Sequence, residues 1–410
     1  MSKLKKVLVL LAAASLLAGM QATVARAATE VTVVIRTAWQ PAFEPMIKKF
    51  NADNKDVQIK VLWGGAQDQL IAANKAPDVI WTSDLQINDQ KNLLLDLHRY
   101  IIRDKTINKA DFYPELWKAL QLGGRQLALP MNFNVGLLYY NKDLFDASSV
   151  AYPTASWTQD DFLAAAKKLT KTSGGKTTQW GVSNTFGWWG EWLIHVRQSG
   201  GDWLRGGKVA LNSPSSIKGL QLFYDKAATL KVSPGPKDDG LGGFAGGKTA
   251  MEYGGHTGNW TSYNNVKGLN WDVAVLPKGL SSSKGGELAL EGWGVSSKSK
   301  NPAAAYKVAA FLVSPEVLTS QWSNIRNPVS RISVANAALE VAKAKRPSPQ
   351  NIEALFGGVS TGMTLPRDIP FIKVTQEVVQ PYIDKMLEGT LTPTQAATQA
   401  TAAANKALGR

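Results

Sequence analysis

An α/β fold, with a largely parallel sheet covered by helices on both faces, is predicted by three observations. Short β-branched runs and helical apolar spacings alternate through the first part of the chain after residue 30. The later helices begin on strong capping signals. The composition, 44% hydrophobic and 19% charged over 410 residues, is that of a globular chain long enough for two or three domains.

The elements follow in order. Val31 to Ile35 is a β-branched run, and from Pro41 to Asn51 the apolar residues Phe43, Met46, Ile47 and Phe50 fall on one helical face. Residues 57–61 alternate as a strand, Gln67 to Ala73 forms a short helix, and Asp78 to Trp81 is a third strand. Strands separated by helices imply parallel pairing, and ligands of such sheets bind beyond the carboxyl ends of the strands. Here those ends are Trp39, the turn from Gly64 to Gln67, and Ser83-Asp84. Further strands are expected at 127–130, 136–140, 249–253, 271–276 and 293–296, with a solvated Gly/Ser/Lys loop at 278–286. Thr158 with Asp161, Ser213-Pro214, Asn301-Pro302 and Thr392-Pro393 each open a helix.

The first 27 residues read as a secretory leader. Lys3, Lys5 and Lys6 precede an apolar stretch from Val7 to Ala18, and Ala25-Arg26-Ala27 is a cleavage signal. That stretch is shorter than the roughly 20 residues a membrane span needs, and Met20 stands where a lipoprotein would have Cys. The expectation is an exported, unanchored chain in a bacterial periplasm. The formal charge of +14 falls to +10 without Lys3, Lys5, Lys6 and Arg26. The remaining basic residues are dispersed, which reads as a solvated surface and not as a nucleic-acid interface.

There is no Cys, so disulfides, thiol nucleophiles and Cys-ligated metals are excluded. His98, His195 and His256 have no metal-ligand spacing, and no cofactor is expected. Residues 242–249 satisfy G-x-x-x-x-G-K-[ST], but a phosphate-binding loop must lie between a strand and a helix. Here it follows a turn cluster and precedes a strand, so the match is declined. Tryptophan is abundant, with fourteen. Three aromatic stretches, at 186–192, 254–260 and 291–294, set Trp beside Gly and polar residues. An indole face left free in that way can stack on the C–H face of a pyranose while Asp, Glu, Asn, Gln and Arg take its hydroxyls.

Several segments together resemble extracellular solute-binding protein family 1, the carbohydrate-binding components of bacterial ABC importers. They are Ala76-Pro77-Asp78-Val79-Ile80-Trp81, Leu127 to Pro130 followed by Leu138 to Phe145, and Trp157 to Phe162 followed by Ala165 to Thr170. Phe244 to Met251, Gly292 to Pro302, Phe311 to Glu316 and Arg326 to Arg331 complete the series in family order. The segment 244–251 also accounts for the false phosphate-loop match. The resemblance implies a two-lobed periplasmic binding protein fold of the class II type, with central sheets flanked by helices and a ligand cleft between lobes. The lobes would be 28–133 with 291–326, and 134–290 with 327–410. Hinge crossings would lie near Asn132–Asn134, Ala289–Glu291 and Ile325–Pro328.

Carried over position by position, the resemblance places ligand contacts at Trp39, Gln67, Asp84, Asn132, Asn134, Trp188, Trp189, His256, Trp260, Glu291, Trp293 and Arg326. Glu291 stands where the family has Gly, adding a carboxylate; Asp68 and Glu191 are read as loop-solvating. The function expected is capture of a mono- or oligosaccharide by a monomer that delivers it to membrane-embedded permease subunits, without chemistry. Two alternatives stay open: an anionic ligand such as a polyol phosphate or organic acid, and a secreted glycosidase using Glu191, Glu252 or Glu291.

Overall fold

The structure, a computed structural model, describes residues 27–184, 188–326, 328–344, 349–367 and 369–410. Residues 1–26 of the expected leader, Phe186 and Gly187 of the first aromatic stretch, and Asn327 in the third expected crossing lie outside the described residues.

The alternation read in the N-terminal part is present: β1 (Thr29–Ile35), α1 (Gln40–Asp53), β2 (Val57–Trp63), α2 (Gln67–Ala72) and β3 (Val79–Ser83). β1 pairs in parallel with β2 along its full length and with β3 at Val33–Val79. Two long strands extend this sheet. β4 (Leu129–Asn141) covers both strands expected at 127–130 and 136–140, and its apolar Met131, Phe133 and Val135 alternate with Asn132 and Asn134. Asn disfavours strands on its own, but tertiary pairing with a neighbouring strand overrides that preference. The rest of the sheet is β5 (Met251–His256), β6 (Trp271–Ala274) and β7 (Gly286–Val295). β7 is longer than the 293–296 expected, because residues 288–293 pair antiparallel with β4 while 291–295 pair antiparallel with β3. The sheet runs β5-β4-β7-β3-β1-β2, with β6 also on β4.

The three expected crossings lie side by side. Asn132 faces Glu291 and Asn134 faces Ala289 across the β4–β7 ladder. Asn132 also bridges to Val329, and the Phe133 N–H donates to the Pro328 carbonyl at 3.1 Å.

Capping behaves as the sequence implies. Thr158 and Asp161 form a reciprocal capping box at the start of α3 (Gln159–Leu169), as Thr392 and Gln395 do for the C-terminal helix Pro393–Ala407. Residues 242–249 contain a 3₁₀ turn, Phe244–Gly246, and lead into β5, so no helix N-terminus stands behind the glycines.

The largest apolar cluster packs both sides of the sheet, from Val33 and Phe43 to Phe133, Leu290, Trp293 and Trp322. A second gathers Trp192, Leu220, Phe371 and Ala400, and a third Tyr140, Phe162 and Tyr253. Helix α4 (Trp189–Gln198) is buried on every face, so its charged residues must be paired internally. The Glu191 carboxylate accepts a short bond from Nζ of Lys226 on α5 (Pro214–Ala228). The Arg197 Nε meets Asp202 at 2.9 Å, and its other nitrogens donate to the carbonyls of Met363 and Thr364. Glu191 is therefore part of a buried ion pair and not a loop-solvating group.

Candidate ligand site on the crossing strands

Period-2 alternation builds the floor of a cavity of about 650 Å³. On β7, Glu287, Ala289 and Glu291 line the cavity, while the side chains of Leu288 and Leu290 belong to the core. On β4, Asn132 and Asn134 line it while Phe133 and Val135 are core. The carboxyl ends of the parallel strands complete one wall: Arg36 and Trp39 after β1, and Trp81, Ser83 and Asp84 at the end of β3. His256, at the end of β5, closes the other side with Ile372. A recess of about 370 Å³ shares Arg36, Trp39 and Trp81 and extends to Gln67 and Asp68. The strand-end rule leads to this cavity, and of the expected contacts Trp39, Asp84, Asn132, Asn134, His256 and Glu291 line it together.

The electrostatics are set by burial. Asp84 is 0% exposed; its Oδ1 accepts from the Leu290 N–H at 3.1 Å, and its Oδ2 has no hydrogen-bond partner. Burial raises the Asp84 carboxyl to about 7 against the Leu290 bond and the more distant Arg367 charge. Glu287 is 6% exposed, and its Oε2 also lacks a hydrogen-bond partner. Burial, and next the charge of Asp84, push it to about 8. Burial raises Glu291 as well, opposed first by Arg36, whose guanidinium lies 3.4 Å away.

Arg36 also lies over the rings of Trp81 and Trp39, at 4.3 and 4.9 Å from their centroids. Burial lowers His256 to about 4, so the imidazole is neutral near pH 7. Its Nδ1 accepts from the Gly258 N–H at 3.0 Å, which assigns the proton to Nε2, 3.8 Å from Glu287. Asn134 accepts from the Thr257 hydroxyl at 2.7 Å.

Other expected contacts lie elsewhere. The Gln67 amide is spent on the backbone, donating to the Trp81 carbonyl at 2.8 Å and accepting from its N–H at 2.9 Å. It clamps the end of β3 and reaches only the smaller recess. Trp293 is fully buried and packs edge-on against Phe43. Its glycine neighbours do not free an indole face. A Cβ on Gly292 would lie 2.5 Å from the Leu129 carbonyl, so glycine is there to admit the adjacent strand. Trp189 sits in the second core cluster against Phe371, and Trp260 is buried between Trp271 and Trp322. Trp188 covers Gly190, where a Cβ would collide with its ring. Arg326 is exposed, capping the helix Pro315–Ile325 in a left-handed conformation over Trp322, away from the cavity. Ten of the fourteen Trp are buried. Those on the cavity are Trp39 and Trp81. Ser83, named with Asp84 as a strand end, also lines the cavity; Arg36, Trp81, Gln86 and Glu287 were missed, although the E-x-A-x-E and N-x-N alternations on β7 and β4 carry the signal for the floor.

A cavity at the strand ends of an α/β sheet, floored by the segments expected as crossings, is the arrangement of a two-lobed binding protein. Residues 36–318 match the family described as bacterial extracellular solute-binding protein, and the chain belongs to that family. The two-lobed fold is shared with an ABC substrate-binding protein of Listeria monocytogenes in complex with cycloalternan. That protein is 25% identical with a TM-score of 0.77, over 93% of this chain and 99% of that one. It is also shared with the cyclic α-maltosyl-1,6-maltose binding protein of Arthrobacter globiformis, 20% identical with a TM-score of 0.79, over 93% and 99% of the two chains. The sn-glycerol-3-phosphate-binding periplasmic protein of Yersinia pseudotuberculosis is 23% identical over 330 residues, 74% of this chain and 73% of that one. Among the described residues no helix is long and apolar enough to cross a membrane.

Proposed function

We propose that the protein captures a carbohydrate in the cavity on the crossing strands and delivers it, as an exported monomer, to the membrane subunits of an ABC importer, without transforming it. The observation that carries this reading is the mixture lining one cavity: two indoles beside Asn132, Asn134, Asp84, Glu287, Glu291 and Arg36. Indole faces suit the C–H face of a sugar ring, and the planar amides and carboxylates suit its hydroxyls. The Listeria protein's complex with cycloalternan supports the same ligand class. Lobes meeting across such a cavity would close on the ligand, because only the closed form lets both sides touch it; hinge closure of this kind is known for periplasmic binding proteins as a class.

The Yersinia relatives raise a second reading, a glycerol phosphate. The lining weighs against it, since among the described lining residues the one cation, Arg36, is already beside Glu291, and the buried carboxyls of Asp84 and Glu287 offer an anion no positive partner. The glycosidase reading loses two of its carboxylates. Glu191 is bonded to Lys226, and Glu252 to the Tyr263 hydroxyl, both off the cavity.

Thermal unfolding against mono- and oligosaccharides and glycerol 3-phosphate tests the proposal. A ligand at 100 times its Kd stabilises by about 2.7 kcal/mol, a shift of several degrees. The expected result is a shift with a sugar that is recovered unaltered. A shift with glycerol 3-phosphate alone, or release of sugar product, overturns it.

A further inference from the structure

Two carboxyl oxygens on the cavity lack what buried acids ordinarily have. Asp84 Oδ2 and Glu287 Oε2 have no hydrogen-bond partner, with His256 Nε2 standing 3.8 Å from the latter; each belongs to a side chain more than nine-tenths buried, and both residues line the same cavity. Burial opposes ionisation of both, and an ionised Asp84 opposes that of Glu287 further. The charged groups around them are committed elsewhere. Arg36 lies against Glu291 and between two indoles. Arg197 is held by Asp202 and two carbonyls, and Arg367 donates to the carbonyls of Lys118, Ala119 and Gln121. His256 is held neutral by burial, and Glu291 is occupied with Arg36. A metal ion does not answer the need, since no group of three His, Asp or Glu among the described residues could hold one.

Resting on the carbohydrate reading, we propose that the ligand is a basic sugar whose protonated amine is held by Asp84 and Glu287, so that the site selects amino sugars over their neutral counterparts. An ammonium has three donors and a full charge, and bonds to ionised partners are stronger than neutral ones. A hydroxyl could satisfy either oxygen, but only a cation lets both buried carboxyls ionise together. The Arg36–Glu291 pair and the indoles would then engage the remainder of the ring system, on the strand-end side of the cavity.

The test is calorimetric titration at pH 7 of the mature protein with matched pairs. These are glucosamine and glucose, galactosamine and galactose, and the glucosamine dimer and cellobiose, with each amine's N-acetyl form as an uncharged control. We expect at least one amine to bind about tenfold or more tighter than both neutral partners, the scale of a hydrogen bond to a charged group. Binding should also release protons, seen as a heat that depends on the buffer. Glu287→Gln and Asp84→Asn should each bring the ratio towards one; Asn at 84 can still accept from Leu290, so folding is retained and is checked by melting. Neutral sugars binding as tightly as their amines would overturn the proposal and leave the carbohydrate reading standing. Binding of glycerol 3-phosphate alone, or no binding by any probe, would overturn both.

Discussion

Replacing Glu287 by Gln should flatten the alkaline side of the stability profile. In the unfolded chain this carboxyl titrates near 4.5; in the folded protein burial and Asp84 hold it protonated up to about 8. Below 4.5 both states carry the proton and the group costs nothing. As pH rises from 4.5 through 8 the unfolded chain loses a proton that the folded chain keeps, so stability falls throughout that window. At about 1.4 kcal/mol per pH decade the full loss is about 5 kcal/mol. At about 2 cal/mol/K per residue, that is on the order of 6 °C in Tm for a chain of this size. Gln preserves the volume and cannot ionise. Glu252, raised to about 7, adds a loss in the same direction. His256, lowered to about 4, penalises folding only as pH falls below 6.5. The informative quantity is therefore the difference between wild type and Glu287→Gln in ligand-free melts from pH 5 to 9. That difference should grow steadily in favour of the variant above pH 5. A variant curve parallel to wild type, or a gap under about 1 kcal/mol at pH 9, would refute a buried, uncompensated acid at this position.

The remaining predictions separate cavity from core. Trp81→Ala should weaken sugar binding about tenfold or more by titration. Trp293→Ala should instead cost about 3–5 kcal/mol of stability in denaturant melts, because its indole fills the core. Lys226→Met removes the cation from the buried Glu191 pair and should cost about 3–5 kcal/mol, most of which returns when Glu191→Leu is added. Thr158→Ala should cost about 1 kcal/mol through loss of its capping bond, measured as a small drop in Tm.

The parts of this molecule that were legible in the sequence are those with local causes. Val31 to Ile35, the 3.6-residue spacing from Phe43 to Phe50, and the capping pairs at Thr158 and Thr392 need no distant partner to declare themselves, and each lies within a residue or two of its element in the structure. The strand-end rule then carried the argument to Trp39 and Asp84. Where the reading broke down, the deciding contact was non-local. Asn132 and Asn134 look like a break between two strands until β7 is laid beside them. Residues 287–292 fall between the loop expected to 286 and the strand expected from 293 until the same pairing is seen from the other side. Glu287 lies in that gap.

Glycine beside tryptophan can mean that an indole has been left free for a ligand, or that a backbone must approach an indole already packed. Sequence spacing is the same in both cases. At Gly292 the second meaning holds, because the β4 carbonyl of Leu129 occupies the space a side chain would need. The cavity-lining indoles, Trp39 and Trp81, have no flanking glycine; they reach the cavity because they sit at the carboxyl ends of parallel strands. Strand topology and the face on which alternate residues fall were therefore better guides to this site than residue type. The same two considerations bring Glu287, Glu291, Asn132 and Asn134 to one face and set Asp84 beside them. Among the described residues on that face a single arginine stands against three carboxyls, and a basic ligand would let the buried pair, Asp84 and Glu287, ionise.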